Sequence, residues 1–90
     1  MKTHPYFRQV VLRHRPYLKA EWCERIMKNP VAREVQSDGR IRLWGIIPEM
    51  RGRVKVLRVV LEPDGETVLN AFPDRDFDTD EQKKQKGGKP

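Results

Sequence analysis

Ninety residues with a net charge of +6, one cysteine and no run of eighteen apolar residues describe a single small domain that does not span a membrane. One cysteine, Cys23, excludes an internal disulfide and a cysteine-rich zinc site, and the N-terminus lacks the basic-then-apolar layout of a signal peptide, so the expected setting is the cytoplasm. The charge is unevenly placed: residues 1–58 hold 14 Lys/Arg, ten of them arginine, against 5 Asp/Glu, whereas residues 59–77 hold Arg75 against five acids. A basic block rich in arginine suits a polyanion, nucleic acid first among them.

In residues 6–13, Tyr6-Phe7 and Val10-Val11 recur at helical spacing, which predicts a short amphipathic helix with Thr3 as cap and Pro5 in its first turn. A strand over residues 7–13 competes, because Val10-Val11-Leu12 is β-prone. Pro16 closes this segment and opens a helix over residues 17–28. Leu18, Trp22 and Ile26 form its apolar stripe with Cys23 and Met27 beside it, and Glu21/Arg25 and Glu24/Lys28 are spaced as i, i+4 pairs. Trp22 and Cys23 read as core. Asn29-Pro30 stops the helix.

Residues 31–36 and 40–47 form a hairpin around Ser37-Asp38-Gly39. A three-residue loop with Gly39 left-handed pairs Val35 with Ile41, Glu34 with Arg42 and Arg33 with Leu43. This register gathers the apolar residues on one face and sets opposite charges across from each other. Its outer face then shows Arg40, Arg42 and Trp44. After a polar loop at 48–52, residues 53–75 form a second hairpin around Pro63-Asp64-Gly65. Another three-residue loop pairs Val59 with Leu69, Arg58 with Asn70 and Leu57 with Ala71. Leu57, Val59, Leu61, Leu69 and Ala71 then face the core, and Arg58 and Asn70 share the other face. Residues 78–90 hold no apolar side chain and are expected to be a disordered charged tail. The fold class is α+β: one or two N-terminal helices on a four-stranded, mostly antiparallel, twisted sheet, with residues 1–77 as the single domain.

Metal and cofactor chemistry find no support. His4 and His14 have no acidic residue at ligand spacing, and the alternating Asp74, Asp76, Asp78, Asp80 run lacks the glycine and glutamate of a calcium loop. There is no phosphate loop, and the lone serine, Ser37, sits in a turn. What remains is a basic polar set: Arg13, His14, Arg15, Arg42, Arg58, Asn70 and Arg75. Metal-free RNA cleavage needs a base for the 2′-hydroxyl, cations for the phosphorane-like transition state and an acid for the leaving oxygen. The plainer reading makes Arg58 and Asn70 a cross-strand polar pair and His14 a helix-end surface residue.

The segments RPYLKAEWCERIMKNP, RIRLWGIIPE, VLRVVLE and VLNAFPDR together resemble a family of small bacterial proteins known only as a domain of unknown function. That family is similar in layout to the RelE-like toxin ribonucleases of the barnase–colicin–RelE superfamily, and the likeness spans residues 13–77. It implies helices on a twisted antiparallel sheet and an RNA-cleaving face. By that resemblance Arg15, Arg58 and Arg75 would hold phosphate, His14 would be the acid/base group and Asn70 would orient substrate. The chain departs from the pattern at Asn70, where relatives often carry threonine, and in having both His4 and His14 near the place of one early histidine. The leading expectation is a toxin-like, metal-independent ribonuclease acting through His14, Arg58, Asn70 and Arg75, with a protein antitoxin as an implied partner. Arg13, Arg15, Arg40, Arg42 and Trp44 are the expected nucleic-acid contacts. The alternative is a non-catalytic module of the same fold that binds nucleic acid or protein. Oligomeric state stays open.

Overall fold

Apolar residues alternate through Val56–Leu61, placing Leu57, Val59 and Leu61 on one side of a strand and Arg58 and Val60 on the other. In the computed structural model, which describes residues 1–77, that strand is the middle of a five-stranded sheet. The strands are β1 (Lys2–Thr3), β2 (Ala32–Val35), β3 (Ile41–Ile46), β4 (Val56–Leu61) and β5 (Thr67–Pro73), in the order β1-β5-β4-β3-β2. Two helices complete the α+β fold. In α1 (residues 7–14) a π-helical turn, Phe7–Val11, runs into an α-helical turn, Leu12–His14; α2 is Ala20–Lys28. Among the described residues no helix is long and apolar enough to cross a membrane. The predicted tail, 78–90, lies outside the described residues.

The sheet has one strand more than expected and is mixed. Residues 2 and 3 lie parallel to β5, with Lys2 beside Thr67 and Thr3 beside Val68, and the His4 amide continues the ladder to the Val68 carbonyl at 2.8 Å. Two residues are too few to show a strand pattern in sequence. Thr3 is therefore in a strand and does not cap α1. Instead His4 serves that end: its Nδ1 accepts from the Tyr6 amide and its carbonyl from the Phe7 amide. The helical alternative for residues 6–13 is the one realised, with Phe7 and Val11 buried.

The second helix starts three residues later than expected. Pro16 opens a turn, closed by the Leu18 amide on the Arg15 carbonyl at 2.9 Å, and Lys19 is extended (φ −111°, ψ 131°) before Ala20 enters the helix. The predicted apolar stripe holds: Leu18, Trp22, Cys23 and Ile26 are all buried. Burial pushes the Cys23 thiol up to about 12, which leaves it a packing group and not a nucleophile. The predicted Glu21/Arg25 and Glu24/Lys28 pairs are not among the ion pairs of the described residues; Arg25 instead makes a two-pronged bond to Glu49, at 2.9 and 2.7 Å. A carboxylate that meets both arms of the guanidinium outcompetes a neighbour one helical turn away. α2 lies so close to β3 that a Cβ on Gly45 would sit 2.5 Å from Ile26 Cγ1.

The first hairpin has the expected register, with Val35 opposite Ile41, Glu34 opposite Arg42, Arg33 opposite Leu43, and Gly39 at φ 90°. The second differs from expectation in two places. Its turn takes four residues, because the Asp64 carboxylate gathers the amides of Glu66 and Thr67 and the Thr67 hydroxyl, so that Glu62 pairs with Thr67. A bulge then follows: Leu61 faces Val68 and Val60 faces Asn70, leaving Leu69 without a partner on β4. The core residue is consequently Val68, fully buried, and not Leu69; past the bulge the alternation recovers and Ala71 is buried as predicted. Arg58 stands opposite Phe72, not Asn70, although all three share the face turned away from the helices.

Candidate functional site

The outer face of the sheet is built on one row, in which Trp44 of β3, Arg58 of β4 and Phe72 of β5 are register partners. The Arg58 guanidinium lies over both rings, 5.6 Å from the Trp44 centroid and 4.9 Å from that of Phe72. Asp74, the one buried charged residue of the described chain, sits beside them. Its Oδ2 accepts from Trp44 Nε1 at 2.9 Å and from Arg58 Nε and Nη2 at 3.0 and 2.8 Å, and its Oδ1 accepts from the Asp76 amide. Burial alone would raise this carboxyl; the bonds from Trp44, Arg58 and the Asp76 amide outweigh it and hold the group below its ordinary value. Phe77 stacks on the indole at 4.8 Å, closing Trp44 under the chain's return.

That arrangement changes the role of several expected site residues. Trp44 is buried, so it does not form an exposed arginine-aromatic strip with Arg40 and Arg42. Each arginine of the strip and of the central strand has a carboxylate: Arg40 has Glu62 at 3.1 Å, Arg42 has Glu34 at 2.9 Å and Arg58 has Asp74 at 2.8 Å. His14 is exposed at the end of α1, where its Nδ1 donates to the Val10 carbonyl at 2.9 Å, leaving Nε2 unprotonated when the ring is neutral. Asn70 turns its Oδ1 to the Ala71 amide at 2.8 Å. Among the described residues no hydrogen bond or ion pair joins His14, Arg58, Asn70 and Arg75 to one another. No group of three or more His, Cys, Asp and Glu comes together there either.

Arg75 belongs elsewhere. Asp74 fixes the turn that carries it: the Asp74 amide donates to the Val56 carbonyl at 2.9 Å while the Asp74 side chain holds the Asp76 amide. Arg75 then lines a groove of about 630 Å³ with Arg51, Arg53, Tyr17, Met50 and Pro73. The first two arginines ride on the loop after β3, which is closed at its base by the Ile47 amide on the Lys55 carbonyl at 2.7 Å. Buried Ile47 and Met50 pin that loop, and Gly52, at φ 85°, turns it between the arginines. Lys55 Nζ also bonds the Met50 carbonyl. Among the described residues none of Arg51, Arg53 and Arg75 pairs with a carboxylate, and no acidic residue lines the groove.

Arg15 borders the same region. Its guanidinium lies 5.8 Å from the centroid of Phe72, the residue before Pro73, and Pro16 and Tyr17 follow it in the chain. Tyr17, 46% exposed, and Arg51 are shared with a second groove of about 570 Å³ that contains Lys19 and the Arg25–Glu49 pair. In that pair the hydrogen bonds from Arg25 bring Glu49 down to about 2. Arg13 is exposed on α1 and lines neither groove. Sequence reasoning passed over Arg51 and Arg53: Arg51 falls in the stretch read as a polar break and Arg53 at the expected start of the second hairpin, whereas the strand begins only at Val56. The available signal was two arginines close to a single acid, Glu49; that Arg25 takes this acid is seen only in the fold. No protein-family model matches the chain, and no curated protein or solved structure does.

Proposed function

We propose that this chain is a nucleic-acid-binding module that holds single-stranded RNA along a basic crescent formed by Arg15, Arg51, Arg53 and Arg75. One observation carries the reading. Arg40, Arg42 and Arg58, the arginines expected on the sheet face, are each matched by a carboxylate, whereas the crescent's three groove arginines are unmatched among the described residues and surround a concave surface. Unmatched arginines on fixed backbone suit phosphate, since the planar fork meets two oxygens at once. Tyr17, exposed within the crescent, offers a ring on which a base can stack.

Cleavage asks for more than this. A ribonuclease needs a proton acceptor beside an unmatched cation, and the expected acceptor, His14, has no bonded link to Arg58, Asn70 or Arg75 among the described residues. The ribonuclease resemblance therefore adds an activity to be tested, and our reading stops at binding.

The test is fluorescence anisotropy with a labelled single-stranded RNA at 50 to 200 mM salt, with chelator present and the RNA run on a gel afterwards. If four phosphates are neutralised, affinity falls about 50-fold over that range, from a slope of about −0.7 per phosphate. Arg51→Ala/Arg53→Ala/Arg75→Ala flattens the slope, and the RNA stays intact. Binding that ignores salt would refute the crescent. Shortened RNA on the gel would restore the ribonuclease reading.

A further inference from the structure

The groove between Arg51, Arg53 and Arg75 holds more positive charge than one internal phosphodiester can use. A phosphate within a strand carries a single negative charge and two unbridged oxygens. A phosphate monoester at a strand's end carries three such oxygens and, near neutral pH, close to two charges. Three arginines without a carboxylate in the lining match the second ligand. We propose that this groove takes the terminal phosphate monoester of a single-stranded nucleic acid, with the terminal nucleoside resting on Tyr17. The proposal rests on the nucleic-acid reading above and makes it specific.

The surroundings fit an end and not a mid-strand segment. Met50, Val54 and Pro73 give the groove an apolar floor beside its cations, and its volume of about 630 Å³ lies within the range of small-ligand sites, roughly 300–1,000 Å³. That space accommodates one nucleotide and is too small for a duplex. Tyr17 and Arg51 line both grooves, so a strand that starts in the arginine groove has a neighbouring channel to follow past Lys19. Arg51 and Arg53 sit on a loop tied at its base, and Arg75 on a turn tied by Asp74, which keeps the three guanidinium groups on fixed backbone before any ligand arrives. Two other surfaces of the described residues, one concave and one aromatic, fit less well. In the second groove Arg25 is engaged by Glu49, and on the sheet face Arg58 is engaged by Asp74 while Phe77 covers Trp44.

The experiment compares matched single-stranded oligonucleotides with a 5′-phosphate, a 3′-phosphate or hydroxyl ends, in RNA and DNA, by anisotropy. Adenosine monophosphate and inorganic phosphate are titrated separately by calorimetry. One end-phosphorylated strand should bind about 10-fold tighter than the hydroxyl strand, the equivalent of one further charge-assisted hydrogen bond. Arg53→Gln and Arg75→Gln, both at exposed positions, should erase that gain while salt-dependent binding persists, and Arg42→Gln should leave it in place. Tyr17→Ala should bring adenosine monophosphate down to the affinity of inorganic phosphate. Equal affinity for phosphorylated and hydroxyl strands would overturn end recognition and leave nucleic-acid binding standing. If no strand binds but adenosine monophosphate does, and Arg75→Gln abolishes it, the groove survives and the strand reading falls.

Discussion

Replacing Asp74 by alanine removes four hydrogen bonds at once, from Trp44 Nε1, Arg58 Nε, Arg58 Nη2 and the Asp76 amide. The indole N–H is the costliest donor to strand, because Trp44 is buried and water reaches it poorly; an unmet donor there costs about 1–3 kcal/mol. Arg58 loses less. Its side chain is 24% exposed, so water replaces part of the carboxylate, and the rings of Trp44 and Phe72 still face the guanidinium. Its share is about 1 kcal/mol, well below the roughly 3–5 kcal/mol of a fully buried broken pair. Asp74→Ala should therefore lower stability by about 2–4 kcal/mol in urea denaturation at pH 7.

The pH dependence supplies a second readout. Because the folded carboxyl lies below its ordinary value, its contribution is complete above that ordinary value and disappears as pH falls through the folded one. The gap between wild type and Asp74→Ala must then narrow in acid. Arg58→Met combined with Asp74→Leu, which removes both charges, should cost less than the sum of the two single changes. A loss under about 0.5 kcal/mol for Asp74→Ala, or a gap that widens in acid, would refute the network as a structural device.

Gly45→Ala should destabilise the protein by about 1–3 kcal/mol in the same denaturation assay, since the new methyl meets Ile26 and α2 has to shift. Val68→Ala should cost about 2 kcal/mol and Leu69→Ala about 1 kcal/mol or less, although leucine is the larger residue, because the bulge buries the valine. In thermal melts from pH 6 to pH 2, Asp64→Asn should flatten the acid limb. Thr67 and the amides of Glu66 and Thr67 hold Asp64 at about 2, so the wild type loses that contribution only as pH falls from near 3.8 towards 2.

What could be read in advance follows from the range of the interactions involved. The stripe of α2 and the first hairpin depend on spacing within a dozen residues, and Val35, Glu34 and Arg33 found their expected partners. The second hairpin failed at Asp64 and Leu69, where one carboxylate lengthened the turn and one residue bulged; alternation in sequence is blind to an inserted residue. β1 escaped notice because two residues have no period. At the site, Arg58 was legible as unusual but its partner was not. In sequence Asp74 belongs to an acidic run and Arg75 to a basic set, and only the fold shows that the aspartate serves Arg58 while the arginine lines another groove.

The two charge blocks of the sequence explain where binding can occur. Folding lays the acidic block, residues 59–77, against the basic one, and Glu62, Glu66 and Asp74 meet Arg40, Lys2 and Arg58. These pairs use up charge at the turns and strand ends of the sheet. The loop at 47–55 has no strand partner, so its arginines keep their charge, and Arg75 joins them because the Asp74 turn carries it out of the sheet. A net charge of +6 thus overstates the attraction of the sheet face and understates that of one edge. Charge reversal at Glu62 or Glu34 would add cation to the sheet without moving the groove. If such variants bound RNA no differently from wild type while Arg53→Gln weakened it, the edge and not the overall charge would be the interface.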